Sequence, residues 1–182
     1  MLRQIGQLET ERLVLRPLQE ADDEALQLIG TDDVFEMVPD IDTPFDASAW
    51  VTHKLKREVP TVGHAIVTKA DNVLVGYVQI TDSVAGEGYY LGVGYWLGQA
   101  HWGKGYATEA VRAALFSLQA TVGEGQQLIP VHAKVIPENA ASRRVLEKCD
   151  FVASDPPNGA DDPAGMAWYH WPLSARRYRI RS

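Results

Sequence analysis

The run from Tyr89 to Leu118, YYLGVGYWLGQAHWGKGYATEAVRAALFSL, joins a strand, a glycine loop and an amphipathic helix without interruption, and any fold must accommodate that unit. Tyr89, Tyr90, Leu91, Val93, Tyr95, Trp96 and Leu97 suit a buried strand. Gly92 and Gly94 interrupt its side-chain surface, which points to a bulge or to close approach by a ligand. Ala107, Ala110, Val111, Ala114, Leu115 and Leu118 recur at intervals of three and four, placing them on one helical face, and Gly123 is the expected stop.

Between strand and helix stands Trp102-Gly103-Lys104-Gly105-Tyr106-Ala107-Thr108-Glu109. A helix opening from such a loop presents unpaired N–H groups at the positive end of its dipole, so its natural ligand is a phosphate or another anion. Lys104 adds a mobile positive charge. A dinucleotide fingerprint fails because Thr108 stands where the third glycine belongs, and a Walker A loop from Gly98 to Lys104 fails because Gly105 follows in place of a magnesium-binding hydroxyl. Taken alone, the run also fits a plain strand-turn-helix crossover.

Trp102-x-x-Gly105-x-Ala107 resembles the pyrophosphate loop of the GNAT acetyltransferases, Arg/Gln-x-x-Gly-x-Gly/Ala, in all but its first position. The wording Trp-Gly-x-Gly-Tyr-Ala-Thr-Glu-Ala is similar to that of the RimJ/RimL-like branch. Pro137 to Phe151, PENAASRRVLEKCDF, resembles the GNAT segment Asn-x-x-Ser/Ala, helix, Lys-x-Gly-Phe, although Asp150 stands where that family has glycine. With LETERLVLRPL near the start, the resemblance spans residues 8 to 151.

The elements read in order agree with it. Strands are expected at Glu11–Arg16, His64–Thr68, Val73–Ile80, Tyr89–Leu97, Leu128–Ile136, Phe151–Ala153 and Met166–Trp171. Helices are expected through Ala21, Ala25, Leu28 and Ile29, from Asp46 through Trp50, Val51 and Leu55, through Ala107–Leu118, and from Asn139 to Cys149. The fold class is α/β (α+β), and the resemblance implies the GNAT acyl-CoA fold. That is a mixed sheet of about six or seven strands splayed between strands 4 and 5 and flanked by about four helices. At 182 residues the chain fits a single domain, 1–182.

Composition narrows the partners. A net charge of −7 argues against a nucleic-acid binder, and no apolar run reaches the length needed to span a membrane. One cysteine, Cys149, leaves no cluster for a metal and no internal disulfide, which suits a cytoplasmic protein. The oligomeric state is open, a homodimer included.

The resemblance implies an acetyl-CoA-dependent N-acetyltransferase that moves an acetyl group directly to a primary amine, either a peptide N-terminus or a small molecule. Acetyl-CoA is the cosubstrate and no metal is used. The pantetheine arm is expected at backbone groups of Trp96 and Leu97, the pyrophosphate at Gly103, Lys104, Gly105, Tyr106, Ala107 and Thr108, and the arm again at Asn139, which also suits a helix N-cap. A lysine-like amine is only about one part in a thousand neutral at pH 7, so deprotonation costs roughly 4 to 5 kcal/mol. Many family members protonate the leaving thiolate with a tyrosine seven residues after the asparagine; here Leu146 stands there, and Ser142 is the candidate acid. The branch's acidic residue before Gly-Tyr-Trp is replaced by Gly92, leaving Glu87 and His132 as the leading candidate bases, with Asp82 and Asp150 behind them. These losses admit a second reading, a non-catalytic acyl-CoA sensor. Loops at residues 31 to 46, 81 to 88 and 154 to 166 are expected to choose the acceptor.

Overall fold

The computed structural model describes residues 6–39, 41–56, 61–85, 88–121, 129–160 and 165–172. In chain order the elements are β1 (Leu8–Glu9), β2 (Leu13–Pro17), α1 (Asp23–Ile29), α2 (Asp32–Phe35), α3 (Ala47–Lys56), β3 (Thr61–Thr68), β4 (Leu74–Ala85), β5 (Gly88–Leu97), α4 (Tyr106–Thr121), β6 (Val131–Val135), α5 (Ala140–Lys148), β7 (Val152–Ser154) and β8 (Ala167–Trp171). The strands form one sheet in the order β1-β2-β3-β4-β5-β6-β8-β7. Among the described residues only the β5–β6 pair is parallel, and α4 is its crossover. The elements beyond the sequence reading are the two-residue edge strand β1, the four-residue α2 and short 3-10 helices at Glu20–Asp22 and Gln99–His101. Gly123 and Leu128 lie outside the described residues, and β6 begins at Val131.

The sheet divides the core in two. Leu91, Val93 and Leu97 of β5 and Val131, Ala133 and Val135 of β6 pack with Ala110, Val111 and Leu115 of α4 and Leu146 of α5, and Tyr95 packs against that cluster. On the other side, Tyr77 of β4 and Trp96 of β5 pack with Leu26, Val34, Phe35 and Val51 from α1, α2 and α3. Successive strand residues point to opposite faces, so Gly92, Gly94 and Trp96 share the α1–α3 side while Leu91, Val93, Tyr95 and Leu97 share the α4–α5 side.

Three expectations change. In α1 the fully buried residue is Leu26, and Leu28 is 76% exposed, because the face that meets the core runs through Asp22 and Leu26, one residue on from Ala21 and Ala25. In α3, Val51 is buried as expected and Leu55 is exposed. Residues 81 to 85 are not a loop: β4 continues to Ala85, in register with β5 from Gly76↔Leu97 to Ala85↔Gly88. Alternating side chains there favour a long hairpin over an acceptor-choosing loop.

Asp150 sits at φ 63 in the turn after α5, the left-handed conformation that glycine adopts most readily. Its N–H donates to Glu147 O at 3.1 Å, so the turn forms despite the missing glycine. Asp150→Gly should keep or raise stability in urea denaturation, whereas the β-branched Asp150→Val should lose about 1–2 kcal/mol. An unaffected Val variant would show that the turn has another conformation in solution.

Candidate active site

Strands β5 and β6 are in register only at Leu91↔Val131 and Gly92↔His132. Beyond that, β5 runs on to Leu97 held by β4, and β6 runs on to Val135 held by β8. Past that point each strand stays paired on its far side alone, and among the described residues the facing edges of the two are unpaired. Leu91 N–H donates to Pro130 O at 2.8 Å on the β6 side, and Gly98 N–H donates to Val75 O at 3.0 Å on the β4 side. Backbone groups alternate sides along a strand. Those of Val93, Tyr95 and Leu97 therefore face the gap, and those of Trp96 belong to the β4 ladder. The expectation that the Trp96 backbone pairs with a pantetheine arm is corrected by this alternation. The Leu97 carbonyl accepts a hydrogen bond from the Trp102 indole at 2.7 Å, which ties the glycine loop to the end of β5.

The gap opens into a cleft of about 1220 Å³ that Trp96, Leu97, Gly103, Gly105, Tyr106, Ala107, Thr108, Asn139, Ser142 and His132 all line. Lys104 is exposed and does not line it. Gly103 and Gly105 have φ of 73 and 81, conformations that side chains resist, and they turn the chain into the N-terminus of α4. Glu109 N–H donates to Gly105 O at 3.1 Å as the first helical bond, so the N–H groups before it have no partner within the helix.

Arg12 clamps this loop from β2's entrance. Its guanidinium donates to the Lys104 carbonyl at 2.9 Å, to Glu109 Oε2 from Nε at 2.8 Å, and lies 5.0 Å from the centre of the Tyr106 ring. Glu109 Oε1 also accepts from Thr10 Oγ1 at 2.6 Å and from Arg12 N–H at 2.9 Å. Burial raises the Glu109 pKa, but the hydrogen bonds from Thr10 and Arg12 outweigh it and leave the carboxyl below its ordinary value. A depressed carboxyl contributes stability that is present above its unfolded pKa and lost as pH falls through the folded one. The clamp should therefore hold at neutral pH and dissolve only in acid, with acyl-CoA affinity falling there together with α4 protection. Glu109→Gln should bring that loss to neutral pH; an unchanged acid profile would remove Glu109 from the clamp.

At the other wall, Asn139 caps α5, its Oδ1 accepting from Ser142 N–H at 2.9 Å, while its Nδ2 donates to Met37 O at 3.0 Å. One acceptor lone pair and one donor hydrogen of the amide remain for a ligand. Leu146 is fully buried in the core, as an apolar residue at that helical position must be. The hydroxyl the helix lacks comes from β5: Tyr95 Oη lies 2.9 Å from Ser142 Oγ and donates to Ser142 O at 3.0 Å. Burial pushes the Tyr95 phenol far above its usual range, so it stays protonated.

His132 stands at the last paired position before the strands part. Its ring makes edge contact with Tyr90 at 5.5 Å and lies 6.3 Å from His170, and its Nδ1 is buried without a hydrogen-bond partner among the described residues. Burial first and then His170 depress its pKa, so the imidazole is neutral at pH 7. Glu87 lies outside the described residues. Asp82 does not line the cleft; its carboxylate binds Tyr89 and pushes that phenol up to about 12. Asp150, in the turn after α5, does not line it either.

A family model described as "Acetyltransferase (GNAT) domain" matches residues 12–152. This chain belongs to the GNAT acetyltransferase family. No curated protein matches it. Among solved structures, an Agrobacterium tumefaciens acetyltransferase is similar over 94% of this chain and 97% of its own at 24% identity with a TM-score of 0.69. A Vibrio fischeri ribosomal-protein-S5-alanine acetyltransferase covers 94% and 98% at 19% identity and 0.68. Mycobacterium smegmatis RimJ, solved in complex with CoA-disulfide, covers 87% and 80% at 24% identity and 0.63. These likenesses establish the fold and agree with the RimJ/RimL-like branch.

In this GNAT domain, sequence reasoning missed Arg12, Tyr95's bond to Ser142 and the Asn139–Met37 tie. Glu109 in the first turn of α4 carried a signal, since a carboxylate there suits the helix dipole. Its partner, 97 residues away, could not be read from spacing. Among the described residues no group of three or more His, Cys, Asp or Glu could hold a metal, and no helix is long and apolar enough to cross a membrane.

Proposed function

We propose that this acyltransferase moves the acetyl group of acetyl-CoA directly to a primary amine, a peptide N-terminus or a small amine, within a ternary complex. The observation that carries the reading is the parting of β5 and β6 immediately after Gly92 and His132, beside a helix N-terminus preceded by positive-φ glycines. The amides from Gly103 to Thr108 receive the pyrophosphate, whose charge meets the positive end of α4. Backbone groups of Val93, Tyr95 and Leu97 receive the pantetheine amides as an added strand would. Asn139 holds the arm with its remaining amide valences.

Acetyl-CoA supplies a thioester whose carbonyl carbon takes the amine nitrogen while the carbon–sulfur bond breaks. The two sides of the sheet divide the proton work. His132, neutral at working pH, lies on the side opposite α5 and takes a proton from the attacking amine, directly or through one water. Ser142, on the α5 side, donates a hydrogen bond to the departing thiolate, which takes its proton from solvent as His132 returns the amine's proton there, and Tyr95 holds the Ser142 carbonyl. Ser142→Ala should lower kcat roughly tenfold or more with little change in acetyl-CoA affinity. An unchanged kcat would take Ser142 out of the reaction.

The testing experiment is a screen for free CoA against peptides beginning with Ala, Ser or Met, polyamines, amino acids and aminoglycosides, with the Cys149 thiol background subtracted. Amine-dependent release supports transfer. Binding of acetyl-CoA without release by any amine would favour the sensor reading.

A further inference from the structure

Glycine weakens a strand interior, costing backbone entropy and offering nothing to pack, so each one in this sheet needs a reason. Packing provides it at Gly63, where a β-carbon would lie 1.9 Å from the Tyr77 hydroxyl, and at Gly76, where it would lie 2.2 Å from the Trp96 carbonyl. It does not at Gly92 or Gly94, where the nearest atoms would be Ser83 Oγ and Gln79 Nε2, each at an ordinary 3.4 Å. Neither residue has a positive φ, and no bulge is present: Thr81↔Gly92, Ile80↔Val93 and Gln79↔Gly94 run in unbroken register. Both glycines line the cleft on the α1–α3 side, leaving bare backbone beside the gap.

Unpaired polar atoms border the same strip. Trp96, next along that face and only 5% exposed, has an Nε1–H with no hydrogen-bond partner among the described residues. Thr81, directly across β4 from Gly92, has a buried Oγ1 in the same condition. Both residues line the cleft. Buried donors and acceptors are nearly always paired, so these orphans beside bare backbone call for a polar ligand.

We propose that the Gly92–Gly94 strip is the acceptor track. It takes a slim primary amine with a small substituent beside the nitrogen and an uncharged hydrogen-bonding group, such as an amide, a few atoms further on. Trp96 Nε1–H and Thr81 Oγ are the polar partners. The proposal rests on the transfer reading above and deepens it, assigning acceptor selectivity to Gly92 and Gly94.

The test measures CoA release with tripeptide amides beginning with Gly, Ala or Ser, alongside melting temperature and calorimetric acetyl-CoA affinity, for wild type, Gly92→Ala, Gly94→Ala and Thr81→Val. A methyl group has room to fold at either glycine, so the alanine variants should melt no lower than wild type and bind acetyl-CoA within about twofold of it. Their acceptor kcat/KM should fall about tenfold or more, the usual worth of one methyl group in a tight site. Thr81→Val should raise acceptor KM about fivefold without lowering the melting temperature, because the hydroxyl it removes has no partner to lose. Normal acceptor kinetics in both alanine variants would overturn the track and leave the transfer reading standing. Wild type that binds acetyl-CoA but releases no CoA with any of these peptides or the screened amines would remove both.

Discussion

Replacing His132 by alanine lowers kcat by roughly 10²–10⁴-fold, the range removed with a positioned general base. Acetyl-CoA affinity should survive, because the side chain lies on the sheet face opposite the α4–α5 core. The pH dependence separates this role from a packing one. The folded imidazole titrates below its ordinary value of 6.5, since burial and His170 both disfavour its charged form. It is an active, neutral base above that lowered pKa and is lost as a base when pH falls through it. Wild-type kcat should therefore be flat near neutrality with an acid limb below about 6.5. His132→Gln should lack that limb, and added imidazole should partly restore the alanine variant. A glutamine variant retaining both the rate and the limb would move the base elsewhere, with Glu87→Gln the next variant to assay.

Gly105→Val abolishes productive acyl-CoA binding. The residue sits at φ 81, where a β-branched side chain is strained, and even a β-carbon would meet Arg12 Nη2 at 3.3 Å. Either the loop leaves this conformation, or Arg12 moves and releases Lys104, Tyr106 and Glu109. Both outcomes scatter the amides that precede α4. The dissociation constant for acetyl-CoA should rise about ten- to a hundredfold, corresponding to roughly 1.4 to 2.8 kcal/mol. Gly165→Val is the control: its φ is 96, yet it lies away from the cleft. It should lower stability and leave acyl-CoA affinity intact. Arg12→Ala should weaken acyl-CoA binding in the same direction as Gly105→Val, less steeply, while Arg12→Lys recovers only part because it cannot reach both carboxylate and carbonyl.

The unit from Tyr89 to Leu118 was legible in the sequence because its signals are local: β-branched and aromatic residues, then glycines, then an apolar helical period. The same holds for Asn139, whose capping role depends only on the residues just after it. What the sequence concealed was registration between distant segments. Trp96 read as a gap-facing residue until the pairing of β4 with β5 determined which backbone groups point outward. Leu146 in place of a tyrosine read as a lost acid, yet Tyr95 brings a phenol to Ser142 from 47 residues away. Leu28 looked buried on helical spacing, whereas the face that meets the core runs through Asp22 and Leu26. Gly92 and Gly94 raised the right question, bulge or ligand, and only the register answered it.

Amide hydrogen exchange with and without acetyl-CoA tests the central claim most directly. Protection should rise at Val93, Tyr95 and Leu97 along the open edge of β5 and from Gly103 to Thr108 at the start of α4, with β2 and β3 unchanged. Binding that left those amides at their free rates and protected another surface would contradict it.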